Sequence, residues 1–584
     1  MNEELRQLGE DYWAWSLKTS PTNATLLGYH DYDAEMDDAS RAAEDEQIAA
    51  LDGFAAAAEA VDPGTLTPDE QVSREVLMFE ASTQADTLRS RTAEFAVDPF
   101  SGIQLMFQQL AGQFPISEPE HAEDLVEKWS KMGGFLDETS GRLREGVAND
   151  RTPPQIAVEK TLAQLDTYLA SPVEEDAMVV AVPAPPQWSE EEVAAWRQRL
   201  AQQVEASVRP GFQRYRDVIA EEVAPKARPQ DKSGVVWLDG GEEIYDRAIR
   251  RHTSLPLTAQ EIHDAGLADI AELENEYRVL GELVLGTDDL EEIYARLRDD
   301  QALRFEDADQ IVAAAQGSLD RATEAMSKAF GRLPKAPCVM QVMPPLGAED
   351  APLAFYFPPT EDGNRPGSFF INTSQPTTRT RYESEALAFH EAIPGHHLQL
   401  ALAQEVLGMP DFRKNAFITV FHEGWGLYSE RLSDEMGLYS GDLERLGILS
   451  FDSWRAGRLV VDTGIHALGW SRQDAIDYLA ANSPQAENNI VNEVERYIGW
   501  PCQALAYKTG QREMLKARAR AEETLGSDFD IKDFHDTLLG SGSVPMPTMH
   551  RLIDEWALSF APPSGGSPAR QGGEGGQAWD AATL

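Results

Sequence analysis

The chain has 584 residues, of which 99 are acidic and 50 basic, so its formal net charge is -49. A surface this acidic argues against nucleic acid and anionic membranes as partners, because both carry negative charge themselves. No run of about 18 apolar residues occurs, so we expect no transmembrane helix.

Cellular location is first suggested by the amino terminus and the cysteines. The opening segment MNEELRQLGEDYWAWSL is charged and amphipathic, so we expect no signal peptide. The two cysteines, Cys338 and Cys502, form no disulfide scaffold and suit a reducing compartment. The sequence therefore predicts a cytoplasmic protein.

Amphipathic helices dominate the predicted elements in chain order. Four capping boxes, in which a serine or threonine precedes a glutamate by three residues, predict helix starts. They lie at 67–70, 117–120, 189–192 and 258–261. Strand patterns are confined to 339–343, 355–357 and 368–372, bounded by proline and glycine. We therefore expect a mainly all-α fold with a small β-sheet directly before the histidine-rich segment 390–399.

No linker rich in glycine, serine or proline interrupts the chain before residue 562. The long helices predict one large unit with two lobes and a cleft between them. The first lobe, 1–335, is expected to be helical, and the second, 336–562, to carry the metal site and the sheet. Residues 563–584 have no apolar periodicity and predict a disordered tail.

The segment HEAIPGHHLQ, from His390 to Gln399, places three histidines and a glutamate in an apolar, helix-forming stretch. Buried polar groups need partners, and one cation would satisfy them all. In a plain zinc-binding helix the second histidine follows the first by four residues, and a glutamate lies beside the metal-bound water. Here Pro394 occupies that fourth position. Glu391 remains the candidate general base.

Two histidines could supply the second nitrogen. On a straight helix His396 would lie roughly 240° round from His390, and His397 would return to the same face about 10.5 Å along the axis. Pro394 lacks an N–H and Gly395 tolerates most backbone angles, so we expect a bulge. A bulge that absorbs two residues would favour His396, with His397 as the alternative.

The third ligand is expected on a second helix packed against the first. In HEGWGLYSE, which begins about 25 residues after the first motif, Glu423 is the candidate because catalytic zinc sites often combine two histidines with one glutamate. His422 is the competing ligand, and Glu430, two turns on, could reach the same face. The glycines at 424 and 426 indicate close approach of the backbone to a neighbour or ligand.

HEAIPGHHLQ and HEGWGLYSE, with supporting segments such as PTNATLLGYHDYD and SFFINTSQP, resemble the bacterial family called domain of unknown function 885. The resemblance covers nearly the whole chain. It implies an all-helical zinc metallopeptidase, related to zincins with a glutamate ligand, whose deep cleft admits oligopeptides and whose sheet pairs with the substrate backbone. Cys502 departs from the pattern, since relatives usually carry glycine there.

Further candidates lie towards the carboxyl end. Arg455 or Arg458 could bind a substrate carboxylate or form salt bridges, and Asp462 could orient His466 four residues on. Tyr507 and His466 are the expected donors to the oxyanion of the tetrahedral intermediate, with Tyr497 as a further candidate. Core packing is the structural alternative for each tyrosine.

The sequence thus predicts hydrolysis of peptide bonds in short peptides, with one Zn²⁺ per chain. The predicted ligands are His390, His396 (alternatively His397) and Glu423, and Glu391 is the predicted base. Two alternatives remain open. The protein could be a metal-dependent amidohydrolase acting on a non-peptide amide, or a catalytically silent helical protein whose metal only stabilises the fold.

Overall fold

The computed structural model describes residues 2–344, 352–360 and 365–560. The fold is mainly all-α with a small three-stranded sheet, as the sequence predicts. The predicted tail, 563–584, lies outside the described residues. Within the described ranges, no helix is both long and apolar enough to cross a membrane.

Fourteen α-helices precede the sheet within the described ranges. Their bounds are α1 Glu3–Thr19, α2 Pro21–Leu26, α3 Arg41–Ala60, α4 Pro68–Arg89, α5 Ile103–Leu110, α6 Pro119–Ala148, α7 Gln155–Ala170, α8 Ala177–Val180, α9 Glu190–Gln203, α10 Arg209–Val218, α11 Gly241–Thr253, α12 Ala259–Leu285, α13 Leu290–Asp299 and α14 Ala308–Ala325.

Three of the four predicted capping boxes are present, and they begin α4, α9 and α12. The box predicted at Ser117 is wrong. Helix α6 begins at Pro119 with Glu118 at the cap position, and no side chain caps it. Proline at the first helical position needs no partner for an N–H, so this start is tolerated without the box.

The small sheet comprises β1 Cys338–Val342, β2 Ala354–Phe357 and β3 Gly367–Ile371. Strand β3 is central, parallel to β1 and antiparallel to β2. Each strand begins and ends within one residue of its predicted position. The buried face of β3 carries Phe369, which belongs to the same hydrophobic core as Phe389 of the metal motif.

Ten α-helices follow the sheet in the described part of the chain. Their bounds are α15 Ser384–Glu391, α16 His396–Gln404, α17 Asp411–Lys414, α18 Thr419–Glu435, α19 Asp442–His466, α20 Arg472–Asn482, α21 Glu487–Gly499, α22 Ala506–Leu525, α23 Ile531–Leu539 and α24 Met546–Ser559.

Two hydrophobic cores organise most of the chain. One core lies entirely within residues 97–223. The other joins Val76 and Leu319 from the predicted first lobe with Phe389 and Trp425 from the predicted second. Helices from both sides of residue 335 therefore share a core that supports the metal motif, and the division into lobes at that residue stays a prediction.

Candidate metal centre

The metal motif is split between two helices. Helix α15 ends at Glu391 and α16 begins at His396, with a turn between them. The prediction of a bulge within one helix is therefore wrong, because the helix breaks completely. Ala392 leaves the helical region at φ -100° and ψ -102°, and Pro394 could not donate to continue the helix. The imidazoles of His390 and His396 consequently face each other edge to face, with 4.8 Å between ring centres.

The turn is held by close contacts that explain its glycine. A Cβ on Gly395 would lie 1.9 Å from the carbonyl oxygen of His390, so only glycine fits there. The indole N–H of Trp425, on α18, donates to the carbonyl oxygens of Pro394 at 3.0 Å and Gly395 at 3.1 Å. One buried side chain thus satisfies two carbonyl groups that the helix break leaves free.

Three side chains converge where the sequence predicts the metal. Glu423 Oε2 lies 3.6 Å from His390 Nε2 and 3.7 Å from His396 Nε2. One ligand atom from each residue lies within 4.8 Å of the other two. Tetrahedral zinc, with bonds of about 2.0–2.1 Å, would separate neighbouring ligand atoms by roughly 3.3 Å. The donor types and their spacing therefore fit a zinc ion.

Glycines on α18 allow this convergence. A Cβ on Gly426 would lie 2.7 Å from His390 Nε2, and a Cβ on Gly424 would lie 2.5 Å from the Cα of Gly510 on α22. Real side chains do not approach this closely, so any larger residue would push α15 or α22 away. The helix-destabilising glycines are explained by close approach of the backbone to a candidate ligand and to a neighbouring helix.

A second carboxylate orients His390. Glu430, one of the most deeply buried acids, accepts a hydrogen bond from His390 Nδ1 at 2.8 Å. Donation from Nδ1 fixes the ring so that Nε2 faces Glu423. Burial alone would lower the pKa of His390, but hydrogen bonds with Glu423 and Glu430 raise it to about 9. Glu430 lies seven residues after Glu423, a spacing that returns to the same helix face.

His397 lies outside the cluster. Its Nδ1 accepts from the hydroxyl of Tyr356 at 2.8 Å, and its Nε2 donates to the carbonyl oxygen of Ala336 at 3.1 Å. Burial lowers its pKa to about 4, which keeps the ring neutral. His397 therefore ties α16 to β2 and the segment before β1. Of the two alternatives for the second ligand, the structure brings His396 into the cluster.

The competing ligand His422 is also turned away. Its Nδ1 donates to Gln399 Oε1 at 2.7 Å, and its ring stacks on Phe417 with 4.4 Å between centres. Burial lowers its pKa to about 4. His422 thus links α18 to α16 and helps to fix the angle at which Glu423 enters the cluster.

Glu391 and Tyr507 adjoin the cluster, as the sequence predicts for the base and the oxyanion donor. Within the described residues, the partly buried carboxylate of Glu391 has no hydrogen bond or ion pair. Burial raises its pKa, His390 lowers it, and Glu423 raises it further, to about 7 in all. Tyr507 lies beside Glu423, and its ring centre lies 6.4 Å from that of His390. Burial raises the pKa of Tyr507, so its hydroxyl remains a neutral donor.

His466 is not brought to the cluster, and its contacts do not fit the predicted oxyanion role. The backbone N–H of Val235 donates to its Nδ1 at 3.1 Å, and its Nε2 donates to the carbonyl oxygen of Tyr497 at 3.0 Å. Both ring nitrogens are therefore occupied by backbone groups. Burial lowers the pKa of His466 to about 3. Asp462 does not orient it, because that carboxylate accepts from the Tyr245 hydroxyl at 2.7 Å.

Cys502 departs from the family pattern at a position that suits glycine. Its backbone has φ 69° and ψ -19°, a left-handed conformation that costs other residues more than glycine. Its backbone N–H donates to Asp462 Oδ1 at 3.1 Å, and its buried sulfur lies 3.8 Å from the carbonyl oxygen of Tyr245. The thiol belongs to a hydrophobic core and not to the metal cluster.

A second group with metal-ligating atoms lies near the amino terminus. His30, Asp33 and His121 bring such atoms within 4.8 Å of one another. The two imidazoles are stacked, with 3.5 Å between centres and 7° between planes. Their lone pairs therefore run side by side instead of converging. The group therefore serves as a second candidate position with which the site at His390 can be compared when bound zinc is located.

Two solved structures share this fold. The "putative lipoprotein" of Colwellia psychrerythraea is 24% identical, with a TM-score of 0.88, and the match covers 95% of this chain and 99% of that one. A "putative lipoprotein of unknown function" from Shewanella oneidensis is 17% identical, with a TM-score of 0.74, and the match covers 94% of this chain and 99% of that one. At these identities the similarity establishes the fold.

These relatives correct the predicted location. Both are described as lipoproteins, a class held at a membrane by attached lipid and found outside the cytoplasm. This finding contradicts the cytoplasmic location predicted for the chain, and that prediction is withdrawn. It relied on the charged, amphipathic amino-terminal segment and on the two unpaired cysteines, and neither feature determines a compartment.

No curated protein matches the chain. The model of a family described as "Bacterial protein of unknown function (DUF885)" matches residues 21–553, which is most of the sequence. The resemblance inferred from the two central motifs is thereby confirmed at the level of the family. The chain belongs to the DUF885 family of bacterial proteins.

Proposed function

We propose that the protein is a zinc-dependent peptidase that hydrolyses peptide bonds in short peptides. The observation that carries the proposal is the convergence of His390 Nε2, His396 Nε2 and Glu423 Oε2. Beside them lies the carboxylate of Glu391, which has no hydrogen bond or ion pair in the described part of the chain. Two histidines and one glutamate are the donor set of catalytic zinc sites that keep one position open for water or substrate.

The steps of hydrolysis can be assigned to the residues around the cluster. A bound zinc ion would polarise the substrate carbonyl and lower the pKa of a coordinated water to about 7. Glu391, next to His390 in the chain, would accept the proton of the attacking water and pass it to the leaving amine. The C–N bond breaks, the water oxygen stays on the acyl carbon, and the amine nitrogen gains the proton.

Two further side chains support this chemistry. The neutral hydroxyl of Tyr507 lies against Glu423 and would donate a hydrogen bond to the oxyanion that develops on the carbonyl oxygen. Glu430 would hold the His390 ring in the orientation that presents Nε2, as carboxylates do for many metal-bound histidines. Nothing in this arrangement requires His466.

A Glu391→Gln variant tests the proposal. Because glutamine can neither accept nor return the proton, we expect hydrolysis of a mixed peptide library to fall by roughly 10²–10⁴-fold. The zinc content of the purified protein should stay near one ion per chain. Glu523→Gln, at an exposed position on α22, is the matched control and should leave both quantities unchanged.

The possible outcomes separate the alternatives. If Glu391→Gln cleaves peptides as fast as the wild type, the assignment of the base is wrong. If the zinc-loaded wild type cleaves no peptide in the library, the peptidase proposal is wrong, and amides other than peptides or a purely structural metal become the better account.

A further inference from the structure

Arg455, on α19, is a buried cation that forms no ion pair within the described residues. Its side chain lies among three aromatic rings, with the guanidinium carbon 4.4 Å from the ring centre of Phe451, 4.5 Å from Trp454 and 5.9 Å from Tyr507. Its Nε and Nη1 are buried and make no hydrogen bond. Across the described ranges, no carboxylate forms an ion pair with it.

The neighbouring arginine shows how unusual it is for a buried guanidinium to lack an ion pair. Arg458, one turn further on, donates from Nε to the hydroxyl of Tyr497 at 2.8 Å and from Nη2 to Glu493 at 3.0 Å. A buried charge normally has such partners, because an isolated one loses its hydration without compensation. Burial accordingly lowers the pKa of Arg455, whereas Arg458 beside Tyr497 and Glu493 has a raised pKa.

Arg455 lies next to the candidate metal centre. The ring of Tyr507 is near both, with its centre 6.4 Å from the ring centre of His390 and 5.9 Å from the guanidinium carbon. The charge of Arg455 also acts on Glu391, whose pKa it lowers. An extended peptide advances about 3.3–3.6 Å per residue, so roughly one to three residues would cover the gap.

We propose that Arg455 binds the free carboxyl-terminal carboxylate of the peptide substrate, so that the enzyme releases short carboxyl-terminal fragments of about one to three residues. This inference rests on the proposed peptidase function. The planar guanidinium matches a carboxylate through two N–H donors on one edge, either Nε with Nη2 or Nη1 with Nη2, and no hydrogen bond within the described residues occupies these donors. The aromatic side chains around it exclude water, which strengthens the ion pair.

The test compares peptides of one sequence that end in either a free carboxylate or a carboxamide. For the zinc-loaded wild type we expect kcat/KM to be roughly 100-fold higher for the free acid, because the amide leaves the buried charge unpaired. In Arg455→Gln this preference should vanish through a higher KM for the acid. Mass spectrometry of the wild-type products should show fragments of about one to three residues from the carboxyl end.

Two further variants exclude a merely structural effect. Arg455→Lys keeps the positive charge and should retain part of the preference for the acid. Arg458→Gln is the matched control, and it should keep the full preference even if the loss of its bonds to Tyr497 and Glu493 lowers stability. Zinc content should be unchanged in Arg455→Gln, and its melting temperature should not fall, because an unpaired buried charge has been removed.

Each result bears on a defined claim. Equal cleavage of acid and amide by the wild type would overturn the role of Arg455 and leave the peptidase proposal standing. Loss of the preference in Arg458→Gln but not in Arg455→Gln, or cleavage far from the carboxyl end, would also overturn it. If the zinc-loaded wild type cleaves neither peptide, the proposed function fails and this inference fails with it.

Discussion

His390 and His466 are buried and His396 is partly buried, all in the carboxyl-terminal half, yet the three histidines differ in what their ring nitrogens contact. Both nitrogens of His466 are bonded to backbone groups. His390 and His396 instead turn one nitrogen each towards Glu423. Burial and helical spacing suggested a function for all three. The difference teaches that a candidate site is marked by ring nitrogens that face a common carboxylate. A histidine whose two nitrogens are bonded to backbone groups instead supports the fold.

The largest expected effect comes from removing one converging nitrogen. His396→Ala should weaken zinc binding by more than about 100-fold, because a ligand matters more than the outer partners, whose loss typically costs 10–100-fold. His397→Ala is the matched control, since within the described ranges that adjacent histidine hydrogen-bonds Tyr356 and Ala336 and none of the candidate ligands. Zinc titration against a competing chelator measures both. A larger loss in His397→Ala would reverse the assignment of the second ligand.

A smaller effect is expected where a methyl group is added beside the cluster. In Gly426→Ala the new Cβ would lie 2.7 Å from His390 Nε2, so the imidazole must move. We expect zinc affinity to fall by about 10–100-fold, as it does when the support of a ligand is disturbed.

The control is Gly134→Ala on α6, where an added Cβ meets nothing within 4 Å. That variant should gain about 0.5–1 kcal/mol in free energy of unfolding from better helix propensity, with zinc affinity unchanged. Equal zinc affinities for Gly426→Ala and the wild type would show that His390 does not need its observed position to bind metal.

The smallest effect concerns the framework histidine and appears in the pH dependence of stability. The folded pKa of His466, about 3, lies below its ordinary value of 6.5. The unfolded chain therefore binds the extra proton first, and stability is lost as the pH falls below about 6.5. His466→Gln keeps a donor and an acceptor but cannot be protonated. It should reduce this slope by up to about 1.4 kcal/mol per pH unit.

Urea unfolding between pH 7 and pH 5 measures the slope, and peptide hydrolysis at pH 7 is assayed on the same protein. Hydrolysis should persist in His466→Gln because both ring nitrogens of His466 are bonded to backbone groups, away from the candidate ligands. An unchanged slope would contradict the neutral buried state of His466. Loss of hydrolysis in a variant that stays folded would restore the catalytic role that the sequence suggested.

Much of the cluster could be predicted from the sequence because its signals are local. The spacing of His390, Pro394 and His396 indicated a break in helical geometry, and Gly424 and Gly426 indicated close packing on the second helix. The same reasoning predicted the sheet and three helix starts. The prediction was wrong at the turn. The helix breaks completely there instead of bulging, and hydrogen bonds from Trp425 hold the break.

The rest depended on partners distant in the chain. His466 receives its hydrogen bond from Val235, 231 residues away, and no local pattern encodes that contact. Arg455 and Arg458 look equivalent in the sequence, and only the fold gives one of them the partners Glu493 and Tyr497. A residue's free or occupied state is thus a property of packing, which explains why the candidate ligands were easier to predict than their surroundings.

The most direct test of the central claim is a crystal structure of zinc-loaded protein with anomalous scattering recorded on both sides of the zinc absorption edge. The account predicts one strong peak about 2.0–2.2 Å from His390 Nε2, His396 Nε2 and a carboxylate oxygen of Glu423. A peak only at His30, Asp33 and His121, or none at His390 under saturating zinc, would contradict it.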